Sequence, residues 1–229
     1  MKSHLDHLKD SFPDLLKRPV LDLGSGKGSF LIDVAQHGGS AVGVEISPAY
    51  IEETKKRADK AGVVVKVLAG KGEQIPFADA SFGFVNMCEV IEHVIDPTKT
   101  LKEVYRVLQI GGEVYMSVPN RFGFKDQHFG LFFINWIPRK FSRTVISWFN
   151  IGGKDYSGSI GYQHLDEMHY YTFKAITSLA RSVGFKTSDI RIEKIYKRFP
   201  HAVTRRVVLF SYLFLRMFYF NSFHVRLTK

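Results

Sequence analysis

Three glycines at alternate positions, Gly24, Gly26 and Gly28, follow Asp22 in the run Val20-Leu21-Asp22-Leu23-Gly24-Ser25-Gly26-Lys27-Gly28. A turn of this kind lets backbone approach a ligand closely, because residues without a Cβ remove the steric barrier and accept unusual dihedrals. A tight strand-to-helix turn with no ligand would use the same residues. A nicotinamide dinucleotide fingerprint would put a third glycine at position 29, where this chain has Ser29. The spacing Asp-x-Gly-x-Gly-x-Gly suits instead an amino-acid-bearing nucleoside, whose ammonium a carboxylate at the turn can receive. Glu45 stands 21 residues after Gly24, at the end of the next apolar run, where a carboxylate can accept both hydroxyls of an adenosine ribose.

A second constellation is Glu89, Glu92 and His93, three and four residues apart, so that on a helical start they share one face. Carboxylates are favoured at a helix amino terminus, which makes capping and packing one reading, above all for Glu92. General-base work by His93 or His169 is another. A divalent metal held by the two carboxylates and a histidine, with His164 or His169 as a further ligand, is a third. One helix face supplies only part of a ligand set, and no metal ligand is assigned on the sequence.

The elements that must position these groups alternate along the chain. Leu5, Leu8, Phe12, Leu15 and Leu16 recur at helical spacing from Ser3 to Lys17 despite Pro13. Strands are predicted over Val20 to Leu23, Ala41 to Ile46, Val63 to Leu68, Phe84 to Cys88, Glu113 to Val118, Ile190 to Tyr196 and Ser222 to Thr228. Helices are predicted from about Phe30 to Gly38, Ile51 to Ala61, Thr98 to Leu108, Phe173 to Val183 and Ala202 to Phe218. The reading is a single α/β domain over residues 1–229, with a Rossmann-like, doubly wound, mostly parallel seven-stranded sheet. An aromatic insertion, residues 121–163, follows the fifth strand, and an extra apolar helix, 202–218, precedes the last one.

Composition narrows the partners. Thirty-two Lys and Arg against 22 Asp and Glu leave a formal charge of +10, which favours an anionic partner: a phospholipid surface, a nucleic acid or a phosphorylated substrate. The lone Cys88 excludes an internal disulfide and any multi-cysteine zinc site, and residues Met1 to Asp10 lack an apolar signal core. The expectation is a cytoplasmic protein, with peripheral attachment to the inner face of a membrane as its further form.

Around these motifs the chain resembles the class I S-adenosylmethionine-dependent methyltransferases of the small-molecule, lipid and glycan type. Beyond the glycine turn, the resemblance rests on Gly70 to Phe77, Ser81-Phe82, Cys88 to Val94, Leu101 to Gly112, His169 to Phe173 and Ser182 to Phe185. It implies S-adenosyl-L-methionine as cofactor. Asp22, Gly24, Ser25, Gly26 and Gly28 would then hold the methionine portion, Glu45 and Ile46 the ribose side, and Gly72, Glu73 and Cys88 the rest. His93, His169 and Glu89 are the catalytic candidates. The chain departs from the family where an acid that receives the adenine amino group is replaced by Lys71, and where Gly83 replaces an Asp. Small-RNA 2′-O-methyltransferases share a similar Glu-x-x-Glu-His run and use it for a metal.

The insertion interleaves Phe122, Phe124, Phe129, Phe132, Phe133, Trp136 and Phe141 with Arg121, Lys125, Arg139, Lys140 and Arg143. It reads equally as a lid over the acceptor and as a satellite core. The late helix is apolar with basic neighbours at Lys194, Lys197, Arg198, Arg205 and Arg206. It is too short for a bilayer span of about 20 apolar residues and suits an anionic interface instead. The expected reaction is methyl transfer to an O or N atom of a small or amphiphilic, lipid-linked acceptor. The alternatives are an RNA methyltransferase and a methyltransferase-like binding module that has lost catalysis, the latter supported by Lys71 and Gly83.

Overall fold

The computed structural model describes residues 3–149, 154–156 and 161–229. Its centre is β1 (Val20–Leu23), buried along its whole length. A strand covered on both faces reads as an unbroken apolar run rather than an alternating one, which is how Val20-Leu21-Asp22-Leu23 is written apart from its aspartate. β2 (Ala41–Glu45) pairs with one edge of β1 and β4 (Phe82–Cys88) with the other, both parallel. β3 (Lys66–Ala69) lies beyond β2, and β5 (Leu108–Pro119) beyond β4, again parallel. β9 (Ser222–Thr228) returns antiparallel between β5 and the edge strand β8 (Lys186–Asp189). The seven-stranded order is β3-β2-β1-β4-β5-β9-β8. Winding therefore reverses between β1 and β4, and open α/β sheets bind ligands in the crevice at such a reversal.

Each face of the sheet is closed by helices whose apolar stripes match it. On one face α4 (Pro97–Val107) buries Leu101, Val104 and Val107, and α6 (Phe173–Val183) buries Ile176 and Ala180, against Leu21, Val85 and Met116. Asp96 caps α4 by accepting from the Lys99 amide at 2.9 Å, with Pro97 at the first helical position. On the other face α2 (Ser29–Gln36) sets Phe30 and Val34 beside Leu5, Leu8, Phe12 and Leu15. α3 (Pro48–Lys60), capped by Ser47, flanks the β2 and β3 edge.

Two expectations are corrected here. The apolar spacing from Ser3 to Lys17 marks the right buried side chains but not one helix: α1 (His4–Lys9) stops, and a separate 3-10 turn covers Leu15–Lys17. Pro13 has no amide to continue the helical ladder, and its ring would clash with the carbonyl of Lys9. The stretch Ile190 to Tyr196 is not a strand; it lies in α7 (Ile190–Arg198), and the strand is the preceding Lys-Thr-Ser-Asp run of β8. Asp189 decides this locally, because its carboxylate accepts from the amides of Arg191 at 2.9 Å and Ile192 at 3.4 Å. An N-cap of that kind is worth about 1 kcal/mol. The same buried carboxylate receives Tyr212 Oη at 2.7 Å and Arg216 Nη1 at 3.0 Å, which anchors α8 (Ala202–Leu215).

The insertion after β5 carries a 3-10 turn at Ile134–Trp136, the helix α5 (Arg139–Trp148) and an antiparallel pair, β6 (Lys154–Tyr156) and β7 (Gly161–Gln163). Residues 150–153 and 157–160 of the expected insertion lie outside the described residues. Phe129, Ile134, Ile146, Leu165 and Met168 form a small core of their own, while Phe132, Trp136, Phe141 and Trp148 stay exposed. α8 buries only Tyr212. Its remaining surface presents Val207, Phe210 and Phe214 to solvent, so the apolar run is not a core helix. Among the described residues, no helix is long and apolar enough to cross a membrane.

Candidate functional site

The crevice between β1 and β4 is a cleft of about 210 Å³. Its floor is the glycine turn. Gly24, Gly26 and Gly28 all have positive φ, at 66°, 53° and 72°, which L side chains adopt only with strain. Space enforces the same choice: a Cβ on Gly24 would meet Val90 Cγ2 at 2.6 Å, and one on Gly28 would meet Thr54 Cγ2 at 2.3 Å. Glu45 fixes the turn from the side. Its two carboxylate oxygens accept from the Gly26 amide at 2.7 Å and the Ser47 amide at 2.9 Å. Each oxygen keeps a lone pair for a further donor, as a ribose hydroxyl would need.

The structure brings Gly24, Gly26, Glu45, Ile46, Gly72, Glu73, Glu89 and His93 onto one cleft, together with Tyr50, Lys71, Val90, Val94 and Ile95. Asp22, Ser25, Gly28, Cys88 and His169 are not on its lining. Asp22 is buried behind the turn and accepts from Asn86 Nδ2 at 2.7 Å. Burial, opposed by that hydrogen bond and aided by the Glu45 charge, pushes its carboxyl up to about 7. Gly28 caps α2 against Thr54, and Ser25 packs beneath Gly43. The Cys88 thiol meets Ser117 Oγ at 3.3 Å and is pushed up to about 12, chiefly by burial, so it is a thiol and not a nucleophile. Glu73 spends one carboxylate oxygen on the amides of Ile95 at 2.8 Å and Asp96 at 3.2 Å, closing the far wall of the cleft.

At the strand ends the groups divide. Glu89 adopts φ 55°, held by Ser117, whose Oγ accepts its amide at 3.1 Å. Glu89 is an exposed residue on the cleft lining, and partial desolvation raises its carboxyl above the usual carboxylate range. His93 turns its ring from the cleft wall toward the insertion: Nδ1 meets Gln163 Oε1 at 2.8 Å and Nε2 lies 3.3 Å from Nε2 of His128. Burial lowers His93 below its ordinary value, so at neutral pH it is an imidazole. Glu92 is fully buried, and its carboxylate oxygens have no hydrogen-bond partner. His169 joins this region through its backbone, donating to the Glu92 carbonyl at 2.9 Å, with its ring on Tyr171. The close cluster is thus Glu92, His93 and His128, not Glu89, His164 or His169. Sequence spacing gave no sign of His128, 35 residues from His93 and delivered by the insertion.

The buried Asp22 sets a pH dependence. Its folded value of about 7 exceeds the ordinary 3.8, so the native state holds a proton that the unfolded chain releases. Its contribution to stability is full below pH 3.8 and is lost as pH rises toward about 7. The difference in Tm between Asp22→Asn and the unaltered chain, followed by thermal melts from pH 4 to pH 8, is expected to shift in favour of Asn as pH rises. A constant difference across that range would show that Asp22 is ionised throughout.

Comparison with known proteins agrees with this geometry. Residues 21–116 match the family model described as a methyltransferase domain. The chain is 30% identical over 142 residues to a ubiquinone biosynthesis O-methyltransferase of Azorhizobium caulinodans, covering 59% of this chain and 55% of that protein. It is 28% identical over 194 residues to a demethylmenaquinone methyltransferase of Symbiobacterium thermophilum, covering 82% and 76%. An uncharacterized protein of Methanocaldococcus jannaschii is 35% identical over 123 residues, covering 54% of each. The chain spans about half the length of the first curated relatives it matches. Among solved structures, an S-adenosylmethionine-dependent methyltransferase of Mesorhizobium loti shares the fold with a TM-score of 0.62 at 15% identity, covering 97% of this chain and 96% of that one. The domain match falls on the strands and turn that build the cleft, so this part of the chain is similar to a methyltransferase domain.

Proposed function

We propose that the chain transfers the methyl group of S-adenosylmethionine to an O or N atom of a small amphiphilic acceptor drawn from a membrane surface. The observation that carries this reading is the continuity of one cleft from Glu45 and the glycine turn to Glu89 at the end of β4. S-adenosylmethionine, when bound, supplies an electrophilic methyl on a sulfonium whose sulfur leaves as a neutral thioether. The residues of this chain do the rest. Backbone at Gly24 and Gly26 admits the methionine portion, and Asp22 behind them offers a carboxylate that an ammonium would hold ionised. Glu45 accepts the ribose hydroxyls. Ile46, Tyr50, Val94 and Ile95 form the apolar walls for adenine, with Gly72 backbone beside them and Lys71 at the rim.

Glu89 is the proton acceptor in this reading. Partial desolvation raises its carboxyl above the usual carboxylate range, and a general base is most effective when its pKa approaches the working pH. The acceptor O–H or N–H gives its proton to Glu89 while the freed electron pair forms the new bond to the methyl carbon. Alignment of donor and acceptor supplies most of the acceleration.

The amphiphilic class of acceptor rests on two supports. Relatives are named for ubiquinone and menaquinone methylation. In addition, α8 exposes Val203, Val207, Phe210 and Phe214, and the insertion exposes Phe132, Phe141 and Trp148. Exposed aromatic and aliphatic side chains beside Lys194, Lys197, Arg198, Arg205 and Arg206 fit an anionic lipid interface.

With a short-tailed hydroquinone as acceptor, Glu89→Gln is expected to bind S-adenosylmethionine as the unaltered chain does and to turn over about 100-fold more slowly. Turnover unchanged at every pH would remove Glu89 from the reaction. The unaltered chain is expected to sediment with phosphatidylglycerol vesicles at low salt, and the double substitution Phe210→Ser, Phe214→Ser to remain in the supernatant. Equal partition of the two proteins would separate α8 from any lipid contact.

A further inference from the structure

Glu92, His93 and His128 converge where the end of β4 meets the insertion. The two Nε2 atoms lie 3.3 Å apart, and each is 3.8 Å from Glu92 Oε1. Two imidazole nitrogens on one tetrahedral zinc, each about 2.0–2.1 Å from the ion, stand roughly 3.3–3.4 Å from each other. The nitrogen pair already has that spacing, and the carboxylate oxygen needs to close by only a few tenths of an ångström.

The outer nitrogen of each imidazole has a polar partner. Gln163 donates through Nε2 to the His93 carbonyl at 3.4 Å, which points its Oε1 at His93 Nδ1, 2.8 Å away. The proton therefore sits on Nδ1, and Nε2 presents its lone pair to the cluster. His128 Nδ1 lies 2.6 Å from the Tyr170 hydroxyl, and the Arg139 guanidinium packs over the Tyr170 ring at 4.2 Å. Such outer partners fix the tautomer and orientation of ligating imidazoles. Glu92 supplies the independent observation. A fully buried carboxylate whose two oxygens lack any hydrogen bond is costly unless a cation is at hand.

We propose that Glu92, His93 and His128 bind a divalent first-row transition metal, zinc or an ion of similar preference. Two imidazoles and one carboxylate leave a coordination position for an outside oxygen. His93 also lines the methyl-donor cleft. On the methyl-transfer reading, the open position therefore serves to hold an oxygen of the acceptor beside that cleft and to make its hydroxyl more acidic.

The test is titration of Co²⁺ into the metal-stripped full chain, followed by its visible absorption and by displacement with Zn²⁺. Equimolar binding, with the intense bands of a low-symmetry four-coordinate ion, is expected. His128→Ala and Glu92→Gln should abolish it, and Tyr170→Phe should weaken it by about 10-fold or more. Circular dichroism of each variant checks that the fold is kept, and Tyr170→Phe retains the packing if His128→Ala does not. Absence of Co²⁺ binding by the unaltered chain, or equal binding by well-folded His128→Ala, would overturn the assignment. S-adenosylmethionine binding is measured separately by calorimetry, so failure of the metal site and failure of the methyl-donor reading are told apart.

Discussion

The bond between the Glu45 carboxylate and the Gly26 amide ties the end of β2 to the turn that leaves β1. Everything at the carboxyl edge of the sheet is placed relative to that tie. The turn has three residues with positive φ and almost no side chain of its own, so it needs an outside partner to keep one shape. Glu45 supplies that partner, and Ser47 completes it by donating to the other oxygen and capping α3. A carboxylate so held is preorganised: its oxygens are in position before a ligand arrives, and no side-chain entropy remains to be lost there on binding.

From this tie a row of polar side chains crosses the buried face of the sheet. Asn86 reaches Asp22 from the neighbouring strand, and His4 of α1 reaches Asn86 Oδ1 at 3.1 Å. Farther along, Tyr115 pairs with His224 at 2.6 Å, beside a second cavity lined by His7, Arg191 and Lys194. An apolar core would be cheaper at these positions. On the proposed function, a charged ligand in the crevice would offset the cost of burying Asp22.

The glycine turn, Glu45 and the alternation of strand and helix are written locally, in spacings of two residues and in short apolar runs, and are legible for that reason. The last strand, Ser222–Thr228, has the expected limits because every second residue is buried against β5 and α6. β8 is illegible because an edge strand of Lys, Thr, Ser and Asp carries no apolar signal, and the adjacent Ile190 and Ile192 imitate one. The site is legible in part. Glu89 and His93 follow from their place after β4, whereas His128 depends on how the insertion folds back over the strand ends. His169 meets Glu92 through its backbone amide, a contact that side-chain type does not encode. Asp22 has the expected identity but stands behind the turn, a distinction of depth that no spacing encodes.

On the proposed function, the Glu45-braced cleft binds S-adenosylmethionine. Calorimetric titration of the purified chain with S-adenosylmethionine, with NAD in parallel, tests it most directly. Saturable binding of the sulfonium nucleoside, silence toward NAD, and affinity lowered by about 10-fold or more in Glu45→Gln are the expected results. Heat from NAD, no heat from S-adenosylmethionine, or equal affinity in Glu45→Gln would contradict it.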